Sequence, residues 1–181
     1  MRKINEIFYS LQGEGFHTGT PAVFVRFSGC NLKCSFCDTQ HEEGVLMSDE
    51  EILAEVGKYP AVTVILTGGE PSLWIDREFV DCLLRMGKYV CIETNGTHSL
   101  PDNIDWVTCS PKQGAKLCIS RMDEVKVVYE GQDIAVYESL PAGHFFLQPC
   151  SCSNTAETVA CVMQHPKWRL SLQTHKLIEI K

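Results

Sequence analysis

Apolar residues along this chain fall into short runs separated by polar, glycine-rich or proline-rich punctuation. Runs rich in β-branched and aromatic residues predict strands over 4–11, 22–27, 61–66, 89–93, 106–110, 124–128, 144–148 and 168–173. Stretches with apolar positions three and four apart predict helices between several of them. One starts at the capping box Ser48-Asp49-Glu50-Glu51 and runs to about residue 58, one covers 77–86 with Gly87 as its stop, and others cover 134–140 and 155–165. Strands alternating with helices predict right-handed crossovers and a mostly parallel sheet, an α/β fold. In such sheets the carboxyl ends of the strands carry the site, and the distinctive motifs of this chain fall at those ends. The connection 30–47 is long for a loop, which suggests a functional segment, and 111–121 is the best candidate for a mobile one.

Composition narrows the possibilities. With 181 residues, 44% hydrophobic and 22% charged, the chain suits one domain over 1–181, without a linker or repeat. A net charge of -7 argues against a surface that neutralises phosphates, so nucleic acid is excluded and a small-molecule partner expected. No apolar run approaches the roughly 20 residues that cross a bilayer, and Met1-Arg2-Lys3 leads into a strand pattern. The chain therefore reads as soluble and cytoplasmic, with no membrane partner.

Ten cysteines without an export signal point to a reducing compartment. Cys82, Cys91, Cys109 and Cys161 sit in apolar runs, where a free cysteine behaves as a small hydrophobe. Cys30, Cys34 and Cys37 are different: their Cys-x3-Cys-x2-Cys spacing offers one thiolate to each of three irons of a 4Fe-4S cube. The fourth iron is left open to a substrate-like molecule. A zinc site with His41 as fourth ligand, and a disulfide loop, are the competing readings of the same spacing. Cys118, Cys150 and Cys152 could hold a second cluster, although Cys150-Ser151-Cys152 lacks the further closely spaced cysteines of known cluster runs.

The spacing, with Phe36 before the last cysteine, resembles the radical S-adenosylmethionine superfamily, and Gly68-Gly69-Glu70-Pro71 resembles that superfamily's motif for the methionine end of the cofactor. Glycines there let main-chain groups approach a ligand. Further motifs follow in order: Leu11-Gln12-Gly13-Glu14-Gly15, Phe24-Val25-Arg26, Cys37-Asp38-Thr39, Thr67, Glu93-Thr94-Asn95-Gly96-Thr97, Ser110-Pro111-Lys112, Leu147-Gln148-Pro149 and Leu172-Gln173-Thr174-His175-Lys176. As an ordered set they resemble the 7-carboxy-7-deazaguanine synthase family, from Ile4 nearly to the C-terminus.

The resemblance implies a curved, incomplete (β/α)6-type barrel. It also implies conversion of 6-carboxy-5,6,7,8-tetrahydropterin to 7-carboxy-7-deazaguanine with loss of ammonia, by hydrogen abstraction and radical ring contraction, within queuosine biosynthesis. The cofactors it brings are one 4Fe-4S cluster on Cys30, Cys34 and Cys37, S-adenosylmethionine, and Mg2+ at Thr39. Substrate contacts carried over are Leu11, Gln12, Gly13, Arg26 and Thr67; cofactor contacts are Gly69, Ser110, Pro111, Lys112, Gln148, Pro149, Cys150 and Ser151. Arg26 has the planar fork suited to a carboxylate. Glu93 and His175 are expected to line the cavity without a proton-transfer role. A flavodoxin- or ferredoxin-type electron donor and a homodimer are the implied partners. Two alternatives share parts of this pattern: a small glycyl-radical activating enzyme, and a noncatalytic iron-sulfur or zinc module.

Overall fold

The strands of the computed structural model, which describes residues 1–35, 37 and 42–181, all join one sheet. They are β1 (Arg2–Leu11), β2 (Pro21–Phe27), β3 (Val45–Met47), β4 (Thr63–Gly68), β5 (Tyr89–Thr94), β6 (Trp106–Cys109), β7 (Glu124–Tyr129), β8 (His144–Pro149) and β9 (Arg169–Leu170). Their order across the sheet is β3-β1-β2-β4-β5-β6-β7-β8-β9. From β2 onward every pairing is parallel, and β1 runs antiparallel to both β2 and β3. The long parallel strands form the incomplete curved barrel that the sequence led us to expect.

Alternation along each strand sorts its residues onto two faces. One series, including Val23, Val25, Phe27, Val64, Leu66, Val90, Ile92, Val125, Val127, Phe145 and Leu147, packs into the main core with Ile52 and Val56 of helix α1 (Asp49–Val56) and Phe79, Val80 and Leu83 of α2 (Arg77–Arg85). The other series faces the bore. Phe8, Ala22, Phe24, Ile65 and Cys91 form a smaller apolar cluster there, flanked by Tyr89 and Trp106.

The helix starts obey their local chemistry. Ser48 accepts from the Glu51 N–H while Glu51 accepts from the Ser48 N–H, and Asp76 caps α2 through the Phe79 N–H. Arg2, buried at the start of β1, pairs with Asp49 at 2.8 Å and Asp76 at 3.0 Å, so one guanidinium joins both helix starts to the sheet. Gly87 stops α2 with φ +73°.

Three expectations are corrected. The helix expected over 134–140 is a single 3-10 turn, Ala135–Tyr137. Ile134, Tyr137 and Leu140 are its core-facing residues, and a spacing of three fits three residues per turn, not 3.6. The strand expected over 168–173 pairs only at Arg169–Leu170, because Ser171 and Gln173 turn into the bore and find side-chain partners there. Within the loop 30–47, Val45–Met47 forms a short strand on β1, too brief for its alternation to be read. After α3 (Thr155–Gln164) and β9, a short helix α4 (Thr174–Leu177) brings the C-terminus back to β1, where Ser10 Oγ donates to the Lys181 carbonyl at 2.7 Å. Of the four cysteines expected in the core, Cys91 and Cys109 are buried, Cys161 is half-buried against it, and Cys82 is half-buried with an Arg85 nitrogen 2.9 Å from its sulfur.

Candidate active site

The end of β2 delivers Ser28-Gly29 into the cysteine loop, and the end of β4 clamps that segment. The Gly69 N–H donates to the Phe27 carbonyl at 3.0 Å and the Glu70 N–H to the Gly29 carbonyl at 2.9 Å. A Cβ on Gly69 would lie 2.0 Å from the Gly29 oxygen, and one on Gly68, at φ +121°, would lie 2.2 Å from the Phe27 oxygen. Only glycines let the two backbones lie this close. The double glycine thus reaches the cavity wall, but the close approach it makes within the chain is to the root of the cysteine loop.

Glu70 completes the joint. Fully buried, it accepts from Thr94 Oγ1 at 2.6 Å and the Ser72 N–H at 3.1 Å on one oxygen, and from the Asn95 N–H at 2.7 Å on the other. A buried carboxylate that accepts three hydrogen bonds, with at least one on each oxygen, is a structural pin between β4 and β5. The Trp74 indole N–H donates to the Ser28 carbonyl at 2.7 Å from the other side.

Above this joint lies a cavity of about 610 Å³. Cys30, Cys34 and Cys37 line it, as do Leu11, Gln12, Gly13, Arg26 and Thr67, the residues expected to meet a substrate. Of the expected cofactor contacts, Gly69, Ser110, Lys112, Gln148, Pro149, Cys150 and Ser151 also line it, together with Glu93 and His175. Pro111 does not. It is buried and faces a neighbouring cavity of about 430 Å³ beside Leu32 and Cys34. Thr39, the expected magnesium position, and His41, the alternative zinc ligand, lie outside the described residues.

The walls are strongly polar. Arg26 Nε donates to Glu6 Oε1 at 2.9 Å and the guanidinium lies over Phe8, which leaves its two terminal nitrogens for a ligand. Glu6 also pairs with the Lys181 ammonium. Although burial pushes the Glu6 carboxyl up, Lys181 and Arg26 outweigh it and hold it below the ordinary glutamate value. Deeper in, Glu93 accepts from Gln12 Nε2 at 3.1 Å, Thr67 Oγ1 at 2.8 Å and Lys126 Nζ at 3.1 Å. Lys126 also donates to Glu14 at 2.5 Å, and Glu14 accepts from Gln173 Nε2 at 2.9 Å. On the wall beside Ser110, Lys112 Nζ donates to Ser110 Oγ at 2.6 Å, and burial pushes its ammonium down against the pull of the Cys34 sulfur. Gln148 accepts from Ser171 Oγ at 3.0 Å, and the turn after it holds Ser151 and Cys152 at φ +46° and +62°. Asn154 steadies that turn through the Cys150 N–H at 2.8 Å and the Tyr129 carbonyl at 2.8 Å.

The donor set fits an iron-sulfur cube. Among the described residues no three Cys, His, Asp or Glu side chains gather closely enough to ligate one metal ion. A cube asks for something else, one thiolate at each of three separate corners, and three thiols on one loop facing one cavity can supply it. Burial pushes the Cys30 thiol up against the donated Leu32 N–H, so ligation must displace its proton.

Comparison with known proteins agrees with this geometry. Residues 24–108 match the Radical SAM superfamily. The 7-carboxy-7-deazaguanine synthase of Bacteroides thetaiotaomicron is 82% identical over 181 residues, covering 100% of both chains. That of Nitratidesulfovibrio vulgaris is 41% identical and covers 98% of each. The chain belongs to the 7-carboxy-7-deazaguanine synthase family. The crystal structure of QueE from Escherichia coli superposes with a TM-score of 0.79 at 32% identity, over 94% of this chain and 93% of that one. Kinship to 7-carboxy-7-deazaguanine synthases along the whole chain decides against both the glycyl-radical activating enzyme and the noncatalytic module.

Two wall residues of this family member, Glu6 and Lys126, escaped the sequence reading, and Glu14 and Gln173 stood in its motifs without an assigned role. One signal was available. Glu124-Val125-Lys126-Val127 alternates charge with valine, which places two charges on the bore face of a strand otherwise read as apolar. No helix among the described residues is long and apolar enough to cross a membrane.

Proposed function

We propose that this chain converts 6-carboxy-5,6,7,8-tetrahydropterin to 7-carboxy-7-deazaguanine with loss of ammonia, in the pathway to queuosine. The observation that carries the reading is a single cavity lined by three cysteines of one loop together with Arg26, three glutamates and Gln12. Cys30, Cys34 and Cys37 would hold the cluster, and Gly69, Ser110, Lys112, Gln148, Pro149, Cys150 and Ser151, which line the same cavity, would hold S-adenosylmethionine. When bound, cluster and cofactor supply a one-electron, hydrogen-abstracting chemistry. The chain itself binds, orients and excludes water.

Arg26 presents its terminal fork to the substrate carboxylate, steadied from behind by Glu6. Leu11, Gln12 and Gly13 meet the edge of the flat ring, and Thr67 adds a hydroxyl. Thr174 donates from its N–H to the Gly13 carbonyl at 2.9 Å, which fixes that segment and brings His175 to the wall. Thr39 takes Mg2+, a hard cation suited to hydroxyl and substrate oxygens. A flavodoxin- or ferredoxin-type protein delivers the electron, and the working form is a homodimer of single-domain chains.

An anaerobic turnover assay with the carboxytetrahydropterin, S-adenosylmethionine and a reductant tests the reading. The expected product is the deazapurine with one ammonia per turnover. Cleavage of S-adenosylmethionine without deazapurine would refute the substrate assignment.

A further inference from the structure

Lys126 stands in the middle of β7 with only 6% of its surface exposed, and nothing in the proposed function requires it. Its ammonium joins two carboxylates from different parts of the chain: Glu14 from the turn after β1, at 2.5 Å, and Glu93 from the end of β5, at 3.1 Å. Each carboxylate has another protein donor on its second oxygen, Gln173 for Glu14 and Thr67 for Glu93. Both planes are therefore fixed, and both residues line the cavity. A carboxylate oxygen accepts two hydrogen bonds, so the pair keeps accepting capacity toward a ligand. If either took up a proton it would present a donor instead.

We propose that Lys126 is a positioning residue, which holds Glu14 and Glu93 as a rigid pair of hydrogen-bond acceptors for the N–H donor edge of a flat amino-heterocycle, here the aminopyrimidinone ring of the pterin. This rests on the substrate reading given above. The charged groups around Lys126 are Glu14, Glu93 and Glu124, with Lys112 across the cavity. Burial alone would push the Lys126 ammonium down, but the three glutamates outweigh it and hold it charged. In return, the Glu93 carboxyl, which burial would push up, is held below its ordinary value chiefly by Lys126. Glu124 differs, since burial pushes its carboxyl up in spite of Lys126.

The test measures pterin affinity of the cluster-loaded protein against pH, together with 13C NMR titration of glutamate carboxyls in the pterin-free protein. Lys126→Met should weaken pterin binding about tenfold or more at neutral pH. The loss should deepen as pH falls, because Glu93 keeps its burial, loses its cation and takes up a proton at higher pH. Lys126→Arg should restore most of the affinity and the flat pH profile, and S-adenosylmethionine affinity should stay constant throughout. Lys126→Gln, which keeps a donor without charge, replaces the methionine variant if that does not fold.

Unchanged pterin affinity, or equal losses for both ligands with an unshifted pH profile, would overturn the proposal. So would failure of both neutral variants to fold while Lys126→Arg behaves normally, since the ion pair would then serve the fold. If the parent protein binds no pterin, the substrate reading fails on its own account. The carboxyl titration still decides the rest: no upward shift in a neutral variant refutes the role of Lys126.

Discussion

The two ends of the barrel bore are built from the same strands and differ in chemistry. Toward the carboxyl ends of the strands, Thr67, Glu93, Ser110, Lys126 and Gln148 face an open, polar cavity. At the amino ends, the first residues of β5, β6, β7 and β8 are Tyr89, Trp106, Glu124 and His144. Phe16 and His17, from the hairpin between β1 and β2, close that end. Phe16 stacks on Trp106 at 4.8 Å and meets His144 at 4.5 Å, while His17 meets Trp106 edge-on at 4.6 Å. The hairpin serves both ends, since Gln12 and Glu14 form the cavity floor a few residues before the aromatic plug. Position along a parallel strand thus decides whether a bore-facing residue lines the cavity or packs into the plug.

If that division holds, substitutions at the open end should change function with little effect on stability, and those at the plug should do the reverse. The largest effect is expected at the mouth. Cys34→Ala should abolish cluster assembly and S-adenosylmethionine cleavage, since it removes one iron's protein ligand. Iron analysis and the visible spectrum check this, and a variant with a full cube would remove Cys34 from the ligand set.

Next comes Arg26→Ala, which leaves a substrate carboxylate without its two-point charged partner. Pterin affinity should fall by about 30-fold to several thousand-fold, from a cost of roughly 2 to 5 kcal/mol. Titration of both ligands decides between roles, because equal loss of S-adenosylmethionine binding would mean that Arg26 supports the fold.

At the plug, Phe16→Ala should cost about 1 to 2 kcal/mol of stability through lost aromatic contacts. Denaturant unfolding measures it, with pterin affinity expected to change less than about threefold, well under 1.4 kcal/mol. A parallel collapse of affinity would show that plug and floor act as one unit and would break the comparison.

The smallest effect is one of pH. Burial, helped by the nearby His144, pushes the His17 imidazole down from its ordinary value of 6.5. The unfolded chain therefore binds the proton first, so His17 contributes stability above its unfolded value that is lost as pH falls below it. Thermal unfolding of the parent and of His17→Gln between about pH 7.5 and 5 isolates that contribution, because the difference should vanish if His17 titrates alike in both states.

Much of the open end was legible because its chemistry is local. Three cysteines on one loop, a capping box at Ser48, a double glycine after a strand and the Leu11-Gln12-Gly13 turn each declare themselves within a few residues. Even there the cause differed in one respect: Gly68 and Gly69 are required by the backbone of Phe27 to Gly29, a contact between residues some forty positions apart. Pro111 carries the opposite lesson. Its neighbours Ser110 and Lys112 reach the main cavity, but it turns into the adjacent one, and a contiguous motif does not say which way each side chain points.

By itself, then, the sequence determined the strand-and-helix alternation, the family and the loop that carries the cysteines, because these depend on periodicity and short spacings. Tertiary structure decided which side of each strand faces the bore, and so made Lys126 a shared partner of Glu14 and Glu93, separated from it by 112 and 33 positions. It also reduced 134–140 to one tight turn, ended β9 after two residues and set Phe16 beneath the cavity floor. Such pairings arise only when the curvature of the sheet brings distant strands together and burial favours a partner for each charge.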